Sequence, residues 1–127
     1  QVIGLIRLSG TDRILLARNR RRTSFFSLIA GYVEPGETAE AAFAREALEE
    51  TGRRVEDIRY WGSQPWPPSG SLMLGFCART ADVHPTCHTD GELEEIRWVE
   101  RAELPELTLP RPGSIAHTMI MEWYHGD

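Results

Sequence analysis

The segment Gly31–Gly52, GYVEPGETAEAAFAREALEETG, constrains this chain more than any other. A glycine-rich turn from Gly31 to Gly36 leads to Thr38, a residue type suited to accept a hydrogen bond as a helix N-cap. Glu40 then falls in the first turn, where the helix dipole favours negative charge. Ala39–Thr51 is rich in Ala, Leu and Glu, all good helix formers, and Gly52 suits the left-handed stop that ends a helix. The expectation is a helix roughly 20 Å long at about 1.5 Å per residue. Ala41, Ala44, Ala47 and Leu48 form an apolar stripe, which predicts packing on one side and acid on another.

Glu46, Glu49 and Glu50 stand at i, i+3 and i+4, so they share a face and repel by a few tenths of a kcal/mol per pair, roughly. A bound cation reverses that cost. Hard divalent ions take oxygen ligands and are commonly shared between carboxylates and substrate phosphates. On these residues alone, a solvated acidic surface helix is the plainer reading.

The whole segment resembles the Nudix box, G-x5-E-x7-R-E-U-x-E-E-x-G-U, with U a bulky apolar residue. Gly31, Glu37, Arg45, Glu46, Glu49, Glu50 and Gly52 match its fixed positions. Ala47 is small for U, and Arg53 replaces the last apolar residue, so Val55 is expected to bury in its place. The resemblance implies an α/β fold, a Nudix-type α/β/α sandwich with a mixed sheet, spanning 1–127. It also implies pyrophosphate hydrolysis assisted by Mg²⁺ or Mn²⁺. Glu46, Glu49 and Glu50 then hold metal, with Glu37 and Arg45 as supports. Glu46, Glu50 and Glu92 all remain open as the general base, because that choice needs distances.

A second stretch bears on substrate. Ser63–Met73, SQPWPPSGSLM, is similar to the SQPWPFPxSLM signature of NADH pyrophosphatases, with Pro68 in place of Phe and Ser69 in place of Pro. Closely spaced prolines predict an extended loop that orients Trp66. An indole so held can stack on a nucleobase, although packing onto the sheet is the plainer alternative.

By the same resemblance Tyr32 offers an aromatic face to a base, Gln64 and Trp66 line the substrate side, and Ala116 lies near metal or phosphate at the start of the last helix. Glu92 completes the metal site, with Glu94 or Glu95 as alternatives in that acidic loop. The implied substrate is NADH or NAD⁺, cleaved to AMP and nicotinamide mononucleotide, with NAD-capped RNA ends as a further possibility. ADP-ribose or another nucleoside-diphosphate compound is the alternative substrate. A non-catalytic nucleotide-binding module is the alternative class. Homodimerisation is expected from the family alone.

At 127 residues the chain suits one domain with a real core. Its 41% hydrophobic and 26% charged content is globular, and no apolar run reaches a membrane span. No signal-peptide pattern is present, so a cytoplasmic protein without membrane partners is expected. The net charge of −5 argues against general nucleic-acid affinity and makes metal the means of attracting phosphate. The basic run Arg18–Arg22 can guide phosphates or contact an RNA body, or can simply be a solvated connection. Cys77 and Cys87 match no zinc pattern and are expected as unpaired thiols. NADH pyrophosphatases carry a zinc ribbon ahead of the catalytic domain, which this stretch does not supply. The chain opens at Gln1 inside an apparent strand, so a larger parent is one expectation and a smaller enzyme the other.

The remaining pattern predicts strands at Val2–Leu8, Ile14–Ala17, Phe25–Ala30, Val55–Gly62, Leu72–Ala78 and Ile96–Val99. The first two read as a hairpin around SGTD. A turn at Glu100–Leu104 and an extended proline-rich connection lead to a last helix, Ser114–Tyr124, with Ile115, Met119, Ile120 and Trp123 on its apolar stripe. Strands and helices mix without regular βαβ alternation, which favours a mixed sheet covered by helices.

Overall fold

The computed structural model describes residues 1–126. Its centre is β1 (Val2–Leu8), which is apolar on both faces because both are covered. Val2 and Ile6 point into one core with Ala42, Phe43, Ala47 and Phe76. Ile3 and Leu5 point into the other with Ile115, Met119, Ile120 and Trp123. Period-2 alternation thus divides one strand between two helical layers. The helices are α1 (Ala39–Thr51) and α2 (Ile115–Tyr124), and the result is an α/β/α sandwich.

The sheet is mixed and seven-stranded. β1 runs parallel to β6 (Ser71–Thr80) over its whole length. β5 (Glu56–Trp66) lies antiparallel outside β6, at the edge. β4 (Ile29–Gly31) pairs with the start of β1 on the other side. The remaining strands are β2 (Ile14–Asn19), β3 (Arg22–Ser27) and β7 (Leu93–Val99). The expected β1–β2 hairpin pairs only at Arg7 and Ile14, after which β2 leaves to pair with β7 along its length.

Several local expectations need correction. The Phe25–Ala30 strand is two strands, β3 and β4, because pairing changes partner at Leu28: Ser27 faces Ala17 of β2, whereas Ile29 faces Gly4 of β1. The expected proline-rich loop is largely strand. Gln64, Pro65 and Trp66 continue β5 against Met73, Leu72 and Ser71, and Pro67–Ser69 form a 3₁₀ turn closed by Gly70 at φ 66°. Proline is tolerated there because an edge strand leaves one row of N–H positions without a ladder partner. Pro105 sits inside a second 3₁₀ turn, Arg101–Glu106, started by a capping box between Glu100 and Glu103.

α1 begins and ends where its caps predicted: Thr38 Oγ1 accepts from Ala41 N at 3.1 Å, and Gly52 has φ 70°. Its buried stripe is different. Ala42, Phe43, Ala47, Glu50 and Thr51 face inward, whereas Ala41 and Leu48 are exposed. Phe43 reaches the sheet directly above Gly4, where any Cβ would overlap its ring. Small Ala47 is fully buried beneath the helix. Arg53 also buries, so Val55, which is half-buried, does not take its place.

Candidate active site

The site is built around Arg45, which lies midway along α1 and is partly exposed. Its guanidinium grips Glu37 along one edge, with Nε donating to Oε2 at 2.7 Å and Nη2 to Oε1 at 2.9 Å. Nη2 also donates to the Tyr32 carbonyl at 2.9 Å, and Nη1 donates to Glu46 at 2.7 Å and to Glu49 at 3.2 Å. Glu37 in turn accepts from the Glu34 backbone N–H at 2.9 Å. One planar cation therefore joins the glycine-rich turn to the acidic face, which an ammonium could not do in this geometry. The Arg45 bonds and the Glu34 N–H hold the Glu37 carboxyl down at about 2, and the carboxylates push Arg45 above its usual range.

Gly31 has a specific steric role. A Cβ at this position would overlap the Glu46 carboxylate, so the first glycine of the segment leaves the space in which Glu46 lies. Glu46 is largely buried; burial raises its pKa, opposed by Arg45 and reinforced by the charges of Glu49 and Glu92.

Glu50 is the unexpected member. It is only 5% exposed, on the face that packs against the sheet, and its Oε2 has no hydrogen-bond partner. Burial first, then the charges of Glu46, Glu92 and Asp90, push its pKa up to about 9. Packing and acid therefore share one face of α1, against the separation its apolar stripe predicted.

Glu92 enters from the loop that joins β6 to β7. Glu94 and Glu95, the alternatives, are engaged by Arg18, each at 3.1 Å. Asp90, which the sequence reading missed, brings that loop onto α1: its N–H donates to the Glu49 carbonyl at 2.8 Å and its carboxylate accepts from Glu92 N at 3.0 Å. The signal for it was the turn-forming run TDGE. The basic run lies close by, with Arg20 Nε donating to the Gly91 carbonyl at 2.7 Å and Arg20 N to the Glu92 carbonyl at 3.1 Å.

The aromatic and α2 residues form a second group. Gln64 bridges to the start of α2, donating to Gly113 O and accepting from Ile115 N, both at 2.8 Å. Ala116 is buried next to this clasp, and Trp66 is 39% exposed at the hairpin end. Tyr32, 62% exposed, belongs with the Arg45 group and is no core aromatic. Val2 pairs with Gly31 on one side and Leu74 on the other, and Leu74 pairs with Ser63 of β5, so the two groups flank the same end of β1 three strand spacings apart, about 14 Å.

Among the described residues, no three acidic, histidine or cysteine side chains converge closely enough to enclose a metal ion as placed. Arg45 draws Glu46 and Glu49 towards itself instead. The donor set nevertheless fits a hard divalent ion: every group is a carboxylate, Glu50 Oε2 is buried without a partner, and Glu46, Glu50 and Glu92 repel one another. Cys77 and Cys87 are free thiols, and no described helix is long and apolar enough to cross a membrane.

An α/β/α sandwich with an Arg-clasped glutamate helix packed on a mixed sheet is the architecture that the box resemblance implies. The sequence model of the NUDIX domain matches residues 1–124, and the chain belongs to the Nudix family. It is 43% identical over 117 residues to a protein of Edwardsiella ictaluri named NAD-capped RNA hydrolase NudC, covering 91% of this chain and 44% of that protein. A Mycobacterium tuberculosis protein of the same name is 40% identical, covering 90% of this chain and 41% of its own length. The chain thus spans less than half the length of these curated relatives. Among solved structures, a NUDIX hydrolase from Nitrosomonas europaea superposes with a TM-score of 0.75 at 26% identity, covering 98% of this chain and 86% of that one.

Proposed function

We propose that residues 1–127 act as a Nudix catalytic domain that hydrolyses the pyrophosphate of NADH or NAD⁺, giving AMP and nicotinamide mononucleotide. The observation that carries the chemistry is the buried Glu50 carboxylate, its Oε2 without a hydrogen-bond partner, facing Glu46 and Glu92. Similarity to proteins named NAD-capped RNA hydrolase supports the substrate class, and NAD-capped RNA ends present the same bond.

In this reading Glu46, Glu49, Glu50 and Glu92 hold Mg²⁺ or Mn²⁺, which when bound neutralises phosphate charge and acidifies water. Glu37 and Arg45 keep the rotamers of Glu46 and Glu49 fixed through the hydrogen bonds described above. Water attacks one phosphorus, the bridging P–O bond breaks towards the departing phosphate, and a carboxylate of the Glu46, Glu50 and Glu92 set takes the water's proton. Tyr32 and Trp66 present exposed rings to the dinucleotide, and Gln64 holds the Trp66 hairpin against the start of α2, where Ala116 lies. The long strand β5 is an open edge of the sheet and carries exposed Tyr60 and Trp66, which supports homodimerisation through that edge. A cytoplasmic location accords with substrates of this class.

Incubation with NADH and Mg²⁺ or Mn²⁺, resolved by chromatography, tests the proposal through AMP and reduced nicotinamide mononucleotide. Survival of NADH alongside cleavage of ADP-ribose would transfer the assignment to that substrate. No metal-dependent turnover across a nucleotide panel would leave a binding module.

A further inference from the structure

Arg53 stands where the Nudix box carries a bulky apolar residue, yet it is 6% exposed and every bonding edge is used. Nε donates to Asp82 O at 3.1 Å, Nη2 to Val83 O at 2.7 Å and Nη1 to Thr51 O at 3.0 Å. The guanidinium lies over the Trp98 ring, 5.6 Å from its centroid, and Trp98 Nε1 donates to the same Val83 carbonyl at 3.0 Å. From there the loop after β6 is stitched backwards along the end of α1. Thr86 donates to Gly52 O through both N and Oγ1, at 2.8 and 2.7 Å, and Asp90 N reaches Glu49 O at 2.8 Å. Gly52 admits no Cβ because Pro85 and the Cys87 carbonyl press against it. The next residues of this loop are Gly91 and Glu92.

We infer that Arg53 is a positioning residue: by anchoring Asp82 and Val83 to the end of α1, it fixes the loop that sets Asp90 and Glu92 opposite Glu50. An apolar residue could fill the same space but could not hold three backbone carbonyls from two segments. The inference rests on the metal-site reading above and concerns only how Glu92 is presented to that site.

The test compares wild type with Arg53→Leu, Glu92→Gln and the double variant, reading Mn²⁺ affinity by calorimetry, hydrogen exchange, and kcat and KM separately. Thr86→Val, which removes one surface stitch of the same loop, serves if Arg53→Leu does not fold. Arg53→Leu is expected to weaken Mn²⁺ binding about 10-fold, the range seen when outer supports of metal ligands are removed. It should also release exchange protection across 83–92 while α1 stays protected, and lower kcat more than it raises KM. In the Glu92→Gln background it should add nothing, and Thr86→Val should shift Mn²⁺ affinity in the same direction by less. A variant that melts earlier yet binds Mn²⁺ as wild type does, or losses that multiply in the double variant, would overturn the inference. Mn²⁺ binding requires no dinucleotide, so failure of wild type to cleave NADH would count against the substrate reading alone.

Discussion

Arg45 and Glu37 are joined twice, Nε to Oε2 at 2.7 Å and Nη2 to Oε1 at 2.9 Å, across eight positions of sequence. The pair ties a turn without regular structure to a helix. Both residues are therefore fixed relative to the acids that Arg45 holds on its other edge. Charge-assisted, two-point bonds of this kind are stronger and more directional than a single contact.

Acid should destabilise the protein through this pair. Glu37 has its folded pKa depressed to about 2 from an ordinary 4.5, so its contribution is present above about pH 4.5 and is lost as pH falls towards 2. Thermal melts from pH 6 to pH 2.5 should show wild type losing more stability than Glu37→Gln. Parallel curves would remove Glu37 as a source of acid sensitivity.

Glu50 should act in the opposite sense. Its folded pKa is raised to about 9 from 4.5, so metal-free stability should fall as pH rises through that window, because the unfolded chain releases the proton first. Glu50→Gln should flatten this slope and raise the melting temperature of the metal-free protein at pH 8, while turnover drops by about 100-fold or more. Scanning fluorimetry with and without Mg²⁺, beside a rate assay, checks both halves. Unchanged turnover would remove Glu50 from the metal set.

Gly31→Ala should cost activity more than fold. The added methyl overlaps Glu46, whose flexible carboxylate can move aside more easily than strand β4 can, so the site yields first. We expect Mn²⁺ affinity to fall by about 10-fold or more, with the circular dichroism spectrum retained. Wild-type affinity would mean that Glu46 contributes little.

Trp66→Ala should separate binding from chemistry. If the exposed indole stacks on a base, its loss should raise KM for NADH by about 10-fold, within the roughly 1–3 kcal/mol of such stacking, and change kcat little. An unaltered KM would assign Trp66 to the hairpin alone, where it faces Ser71.

The ends of α1 were legible in sequence because Thr38 and Gly52 act locally, through one side-chain oxygen and one left-handed backbone. The apolar stripe of α2 was legible for the related reason that its residues are apolar without exception. The burial of Glu50 was not, since periodicity assigns carboxylates to solvent and only the opposing Glu92 loop accounts for one inside. The split at Leu28 depends on a change of partner strand, which adjacent residues do not encode. Pro65 suggested a loop because proline is excluded from strand interiors, but β5 lies at an edge. Arg53 looked like a defect in a pattern; its carbonyl partners Asp82 and Val83 lie about thirty positions away.

Arg45 already supplies positive charge to Glu37, Glu46 and Glu49. Small metal-built domains stay unfolded until their ion arrives. A chain with an internal counter-ion has no such dependence: it can complete folding during synthesis in an ion-poor compartment. Chelation should then silence the protein without denaturing it, and resupply should restore it at the speed of ligand exchange, with no refolding step between.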